Sequence, residues 1–204
     1  SSPDEGHREY SQLMSSSLAL IGDHILNSYP LDSYRSLVDV AGGTGNFARA
    51  VKKRYPDLSA TVLDLPEVVT EAKDQALNSP VRFVATDMFR SSLPPNTELF
   101  SLVRVLHDHD DEPVSQLLAR LHSALRPGGR LLIAEPMAGT AGAEPIGDTY
   151  FGFYLWAMGS GRPRTAEELR AMCLAAGFKG VREFKTPIPA LTRLLVAEKA
   201  ISSE

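Results

Sequence analysis

The stretch Val38-Asp39-Val40-Ala41-Gly42-Gly43-Thr44-Gly45 decides how the whole chain is read. Leu37, Val38 and Val40 form an apolar run with strand character. It feeds directly into a glycine-dense turn, and a helical pattern follows. Glycines are required where a chain turns sharply and lets a ligand approach bare backbone. A second apolar run, Ala60, Val62 and Leu63, ends in Asp64, close to the 20-residue distance at which an acid meets ribose hydroxyls in nucleoside-binding α/β folds. The turn and the acid together predict a cradle for a nucleoside-bearing cofactor.

Working outward, strand-like and helix-like segments alternate. Strands are expected at 36–40, 59–63, 80–84, 98–105, 129–135, 180–185 and 192–198. Helices are expected at 44–54, 66–77, 111–124, 148–158 and 165–176. Upstream, Leu13, Leu18, Ile21, Ile25 and Leu26 mark a helical stripe from Tyr10 to about Tyr29, stopped by Pro30. Such alternation predicts βαβ units and an α/β fold, Rossmann-like, with a mainly parallel seven-stranded sheet. Arg126-Pro127-Gly128-Gly129 reads as a turn into the fifth strand. The link Thr186-Pro187-Ile188-Pro189 is too short for a crossover helix, so the last two strands should pair as an antiparallel hairpin.

In open parallel sheets, ligands sit beyond the carboxyl ends of the strands. Five expected strand ends carry Gly43 and Gly45, Asp64, Asp87, His107 and Glu135. His107 and His109 would share one face of an extended strand and invite a metal reading, but zinc wants three or four ligands. General-base chemistry is the more economical role for His107, and Asp110 or Asp111 is expected to cap the helix that follows. Between 150 and 156 lie five aromatic residues, with Tyr150, Phe153, Tyr154 and Met158 on one helical face. That greasy helix suits a buried core face or the wall of an apolar pocket. Cys173, among Ala171, Met172, Leu174 and Ala175, reads as packing.

The 204 residues, 43% hydrophobic and 23% charged, can bury a core of their own. A net charge of −4 leaves no basic footprint for nucleic acid. A single cysteine excludes an intramolecular disulfide, and no apolar run approaches a membrane span.

With these residues in hand, the chain resembles the class I S-adenosylmethionine-dependent O-methyltransferases of the plant caffeic-acid and acetylserotonin type. The resemblance rests on Asp39 to Gly45, Leu63-Asp64-Leu65-Pro66, Asp87-Met88-Phe89, Leu106-His107-Asp108, Arg126 to Gly129, Arg164-Thr165 and Ala176-Gly177-Phe178. Val103 to Asp111, Ala134 to Thr140 and Gly152 to Thr165 look most like the purple-bacterial carotenoid branch, whose members methylate a tertiary C1 hydroxyl, as in demethylspheroidene or hydroxyneurosporene.

The resemblance implies S-adenosylmethionine as cofactor, S-adenosylhomocysteine as product and no metal. It implies that Gly42, Gly43 and Gly45 meet the cofactor through the backbone, that Asp64 takes the ribose hydroxyls and that Asp87 with Met88 frames the adenine. His107 falls at the family's catalytic base and Glu135 at one of two acids that orient it. Tyr10, Met14, Tyr150, Phe153, Tyr154 and Met158 fall at substrate-lining positions. There are departures. Ala41 replaces the first motif glycine and demands an ordinary backbone angle. Val103 stands where relatives often carry lysine, leaving Arg104 as its substitute. His109 replaces a tryptophan beside the adenine, and Pro163 replaces the second acid, leaving Glu135 alone with His107.

The expected function is methyl transfer to a hydroxyl of a lipophilic acceptor, a carotenoid C1 hydroxyl in the sharpest form. The alternatives are a phenolic or polyketide acceptor, a nicotinamide-dependent oxidoreductase, since Ala48 stands where that fingerprint tolerates alanine, or a cofactor-binding chain that needs another for activity. Residues 1–30 read as a linker and helix, and 31–204 as the catalytic domain. Against the family, this chain is expected to be the catalytic domain without the N-terminal dimerisation domain, and a homodimer is expected of a full-length enzyme. The expected location is the cytoplasm, at the periphery of a photosynthetic membrane where a carotenoid acceptor would lie.

Overall fold

The computed structural model describes residues 18–75, 79–141 and 160–201. Seven strands form one sheet: β1 (Ser36–Val40), β2 (Ser59–Asp64), β3 (Arg82–Ala85), β4 (Thr97–Val103), β5 (Leu125–Glu135), β6 (Gly180–Phe184) and β7 (Arg193–Glu198). Their spatial order is β3-β2-β1-β4-β5-β7-β6. The first five are parallel, so their carboxyl ends share one edge. The final hairpin forms as expected, but β7 does not lie at the margin. It inserts between β5 and β6 and runs antiparallel to both.

The helices are α1 (residues 18–28), α2 (Asn46–Arg54), α3 (Pro66–Gln75), α4 (Asp111–Ala124) and α5 (Ala166–Ala175). Strand side chains alternate between faces, and each face has its own core. On one face Val38, Phe100, Leu102, Leu131 and Ile133 meet Val114, Leu117 and Leu121 of α4 and Leu169 and Cys173 of α5. On the other, Leu37, Val62, Leu99 and Leu132 meet Ile21 and Ile25 of α1, Phe47 and Val51 of α2, and Val69 and Ala72 of α3. Leu18, Ile21, Ile25 and Leu26 of the stripe read upstream of Pro30 therefore lie on the inner face of α1, while Leu13 lies outside the described residues. Cys173 packs as expected, and burial pushes its thiol up to about 12.

Local chemistry explains the boundaries. Proline opens α3, where its missing N–H costs nothing. Thr165 and Glu168 close a reciprocal capping box at the start of α5. Arg126–Gly129 does not precede β5 but lies within it as a bulge. Thr97 pairs with Leu125 while Leu99 pairs with Arg130, so Arg126–Gly129 of β5 lie opposite the single residue Glu98 of β4. Strand β4 ends at Val103, two residues before the expected limit, and His107 sits beyond it in a short 3-10 turn, Leu106–Asp108. The expected helix at 148–158 lies outside the described residues, as do Tyr10, Met14, Tyr150, Phe153, Tyr154 and Met158.

Phe100 is fully buried at the centre of the sheet. Phe100→Ala should cost about 3–5 kcal/mol of folding stability, read from urea unfolding midpoints, because little backbone freedom exists there to close the cavity.

Candidate active site

The glycine turn leaves β1 at its carboxyl end. Thr44 and Gly45 precede α2, and Gly45 serves as its N-cap at φ +81°. Gly43, at φ +57°, has open space where a side chain would project, so its backbone is approachable from outside. At Gly42 a side chain would collide with Asp39 Oδ2, 2.5 Å away. Glycine is therefore demanded from both sides of the turn, outward by access and inward by a buried acid.

Ala41 departs from expectation. Its φ is +53°, in the left-handed region, where an ordinary angle was expected. The turn must begin while Ala41 N still donates to Leu63 O at 2.7 Å, and this last ladder bond holds the alanine in a conformation that glycine would adopt more readily.

Asp64, at the end of β2, faces the turn. Its Oδ2 accepts from Gly43 N at 2.7 Å and its Oδ1 from Leu65 N at 2.8 Å. A carboxylate has about four acceptor positions, so each oxygen keeps capacity for a hydroxyl donor. Asp87 follows β3 and turns back on its own loop, accepting from Phe89 N and Arg90 N. Met88 packs against the α4-side core. Arg120 of α4 fixes this loop by donating to Met88 O at 3.0 Å and to Ser91 O. Sequence reading assigned Arg120 no role, since nothing local links it to a loop some thirty residues earlier.

Beyond β4 and β5 lies a buried pair. His107 Nδ1 is 2.6 Å from Glu135 Oε2, and the two side chains are 7% and 3% exposed. The other oxygen, Oε1, accepts from Val105 N and Leu106 N, both at 2.8 Å. An ionised Glu135 can only accept, so this contact favours the tautomer with the proton on Nδ1. Glu135 is not alone with the imidazole: Asp108 Oδ1 lies 3.3 Å from Nε2.

The run after His107 also differs from expectation. Asp110 occupies the N-cap of α4 but makes no side-chain cap, its Oδ1 accepting instead from Gly161 N. Asp111 pairs with Arg162 and Arg164, which together hold its carboxyl below the usual range. His109 sets its ring edge-on to Phe89, 5.1 Å between centroids, and burial lowers its basicity. With β4 ended at Val103, the alternation that would have aligned His107 and His109 does not apply. Among the described residues no group of three or more His, Cys, Asp or Glu side chains converges for a metal. Arg104 sits at φ +57° with its N–H on Ala134 O.

Asp39 is the acid that the motif contained and the sequence reading left unassigned. It is 1% exposed, with Ser101 Oγ donating to Oδ1 at 2.6 Å and no hydrogen-bond partner on Oδ2. Burial pushes its carboxyl up to about 7, against the pull of the Ser101 hydroxyl and with a further push from Asp64. Between about pH 4 and pH 7 the folded chain thus holds a proton that the unfolded chain releases, and stability falls as pH rises through that window. Asp39→Asn should abolish this descent. Unfolding midpoints of the two proteins from pH 4 to 8 check it, and parallel curves would refute it.

Comparison with known proteins agrees with this geometry. The O-methyltransferase domain family matches residues 1–179. Demethylspheroidene O-methyltransferase of Rhodobacter capsulatus is 44% identical over 93% of this chain and 48% of its own length. Acetylserotonin O-methyltransferase of Rattus norvegicus is 38% identical over 78% of this chain and 38% of its own. The crystal structure of human N-acetylserotonin methyltransferase in complex with SAM superposes with a TM-score of 0.83 at 28% identity, covering 94% of this chain and 55% of that one. This chain thus spans about half the length, or less, of these relatives. With its sheet order, glycine turn and strand-end acids, the chain belongs to the O-methyltransferase domain family.

Proposed function

We propose that this chain binds S-adenosylmethionine and transfers its methyl group to a hydroxyl of a lipophilic acceptor. The observation that carries the chemistry is the buried His107–Glu135 pair at 2.6 Å, set on the same sheet edge as the glycine turn and Asp64. The donor set fits the cofactor: bare backbone at Gly43 for its methionine end, Asp64 for the ribose hydroxyls, and the loop carrying Asp87 and Met88 for the adenine. Gly42, Gly45 and Arg104 complete the proposed cofactor set. When bound, the cofactor supplies a sulfonium-activated methyl group, which leaves behind a neutral thioether.

The protein's task is then placement and proton removal. Glu135 fixes the imidazole tautomer with the proton on Nδ1, so His107 Nε2 takes the acceptor's hydroxyl proton as the oxygen–carbon bond forms. A tertiary alcohol is a weak acid, so its proton leaves late and the shielding of this pair from water matters. Tyr10, Met14, Tyr150, Phe153, Tyr154 and Met158 are proposed to line the acceptor pocket. In the finer reading the acceptor is a carotenoid C1 hydroxyl. Its support is the identity to the demethylspheroidene enzymes, 44% and 42%, above that to the acetylserotonin enzymes. The order β3-β2-β1-β4-β5-β7-β6, with its inserted antiparallel strand, speaks against a nicotinamide enzyme, whose sheet runs 3-2-1-4-5-6. A full-length protein is proposed to act as a homodimer. Among the described residues no helix is long and apolar enough to cross a membrane, and a carotenoid acceptor would be met at a membrane periphery.

His107→Ala in the full-length protein should lower turnover by about 10²–10⁴-fold while leaving S-adenosylhomocysteine affinity within a few-fold, measured by calorimetry. Retained turnover would remove His107 from its role. Methyl-labelled S-adenosylmethionine with hydroxylated carotenoids, phenols and catechols tests the acceptor. Label in small phenols alone would sink the carotenoid reading, and binding without transfer until a helical partner domain is added would favour a cofactor-binding chain.

A further inference from the structure

The turn that carries His107 is held at its amino end by Glu135. Its carbonyls are held by a residue 55 to 58 positions away in sequence. Arg164, with a side chain only 1% exposed, donates from Nη1 to Leu106 O at 2.8 Å and from Nη2 to His109 O at 2.8 Å. These carbonyls flank His107 on either side. The same guanidinium reaches Asp111 Oδ1 from Nε at 2.9 Å and from Nη2 at 2.7 Å. Its own carbonyl accepts from Ala138 N, just beyond β5, so the residue is anchored from both sides of the site.

A buried guanidinium is costly unless its donors are filled, and here backbone carbonyls and one carboxylate fill them. The arrangement has an electrostatic logic. Glu135 takes the turn's N–H groups at the front, where a helical turn is positive, and Arg164 takes its carbonyls at the back, where it is negative. The neighbouring backbone is equally close. At Gly161, φ +86°, a side chain would lie 2.3 Å from His107 O and 2.7 Å from Asp108 C. Arg162 meanwhile bridges Asp111 and Glu168 on the surface.

We propose that Arg164 is a positioning residue for His107, clasping the carbonyls of Leu106 and His109 so that the imidazole stays in the Nδ1–H tautomer against Glu135. This rests on the reading of His107 as the base. Arginine is needed because its planar fork spans two carbonyls at once, which a lysine ammonium on a flexible stem does not. The Arg164 side chain bonds to Leu106, His109, Asp111 and Arg162 rather than to the proposed cofactor residues at the glycine turn and Asp64, so losing the clasp should act on proton removal and spare cofactor binding.

The test uses the full-length protein with ¹⁵N-labelled histidine. Arg164→Met should lower kcat at least tenfold with KM for S-adenosylmethionine within threefold. The His107 ring nitrogens should change from one tautomer to a mixture. Arg164→Lys keeps the buried charge and with it the fold, and should still lose at least fivefold in kcat. Arg162→Met should stay within twofold of the unaltered protein. Unchanged His107 nitrogen signals in both Arg164 variants would overturn the proposal, as would an Arg162→Met loss as large as that of Arg164→Met. His107→Ala in parallel separates the two ideas. If it keeps its turnover, the base reading fails, while a tautomer mixture in Arg164→Met would still establish positioning.

Discussion

One carboxylate organises the site. Glu135 ends β5, the parallel neighbour of the central strand β4, and its two oxygens meet two backbone N–H groups and the imidazole Nδ1. Without it, the donors of Val105 and Leu106 would be buried without partners, each costing about 1–3 kcal/mol. The turn after β4 has its shape because that acid is there. Since β4 and β5 are parallel neighbours, the acid on one reaches the turn that leaves the other. The sheet therefore does more than support the site: its register sets which residues can meet at its edge.

The same edge gathers acids with different duties. Asp64 faces the glycine turn and remains partly accessible, whereas Asp39 lies beneath the turn, with Gly42 packed against its Oδ2. Asp39 follows the alternation of β1, on the side shared with Leu37 and opposite Val38 and Val40. A buried acid at this point raises the cost of the ionised form, and the Ser101 hydroxyl offsets only part of it. Such local cost is common where a fold is shaped around a ligand site. Ala41, held at positive φ one residue before the glycines, belongs to the same pattern.

Much of the fold was legible because its signals are local. Strand and helix alternation among the described residues, the Pro66 start and the short link at 186–189 each depend on neighbours in sequence, and each is found, with shifted ends at β4 and β5. The site was legible where a motif named the residue: Asp64 does face the glycine turn, and His107 does meet Glu135. Arg120 carried no such signal, and Arg164 stood in a family motif that gave it no role at the site. An arginine in a helix or a loop reads as surface charge until the fold brings distant carbonyls to it. Ala41 misled for the related reason that its backbone angle is imposed by pairing with Leu63, not chosen by its own side chain.

The sequence by itself determined the fold class and set the glycine turn, Asp64 and Glu135 at strand ends, because periodicity, glycine chemistry and residue spacing act over short distances along the chain. The tertiary structure decided where β7 enters the sheet, which histidine nitrogen faces Glu135, that Asp39 is buried under the turn, and that Arg164 closes on the turn from 55 to 58 residues away. Those depend on register and burial, and both arise only when segments remote in sequence share the same interior.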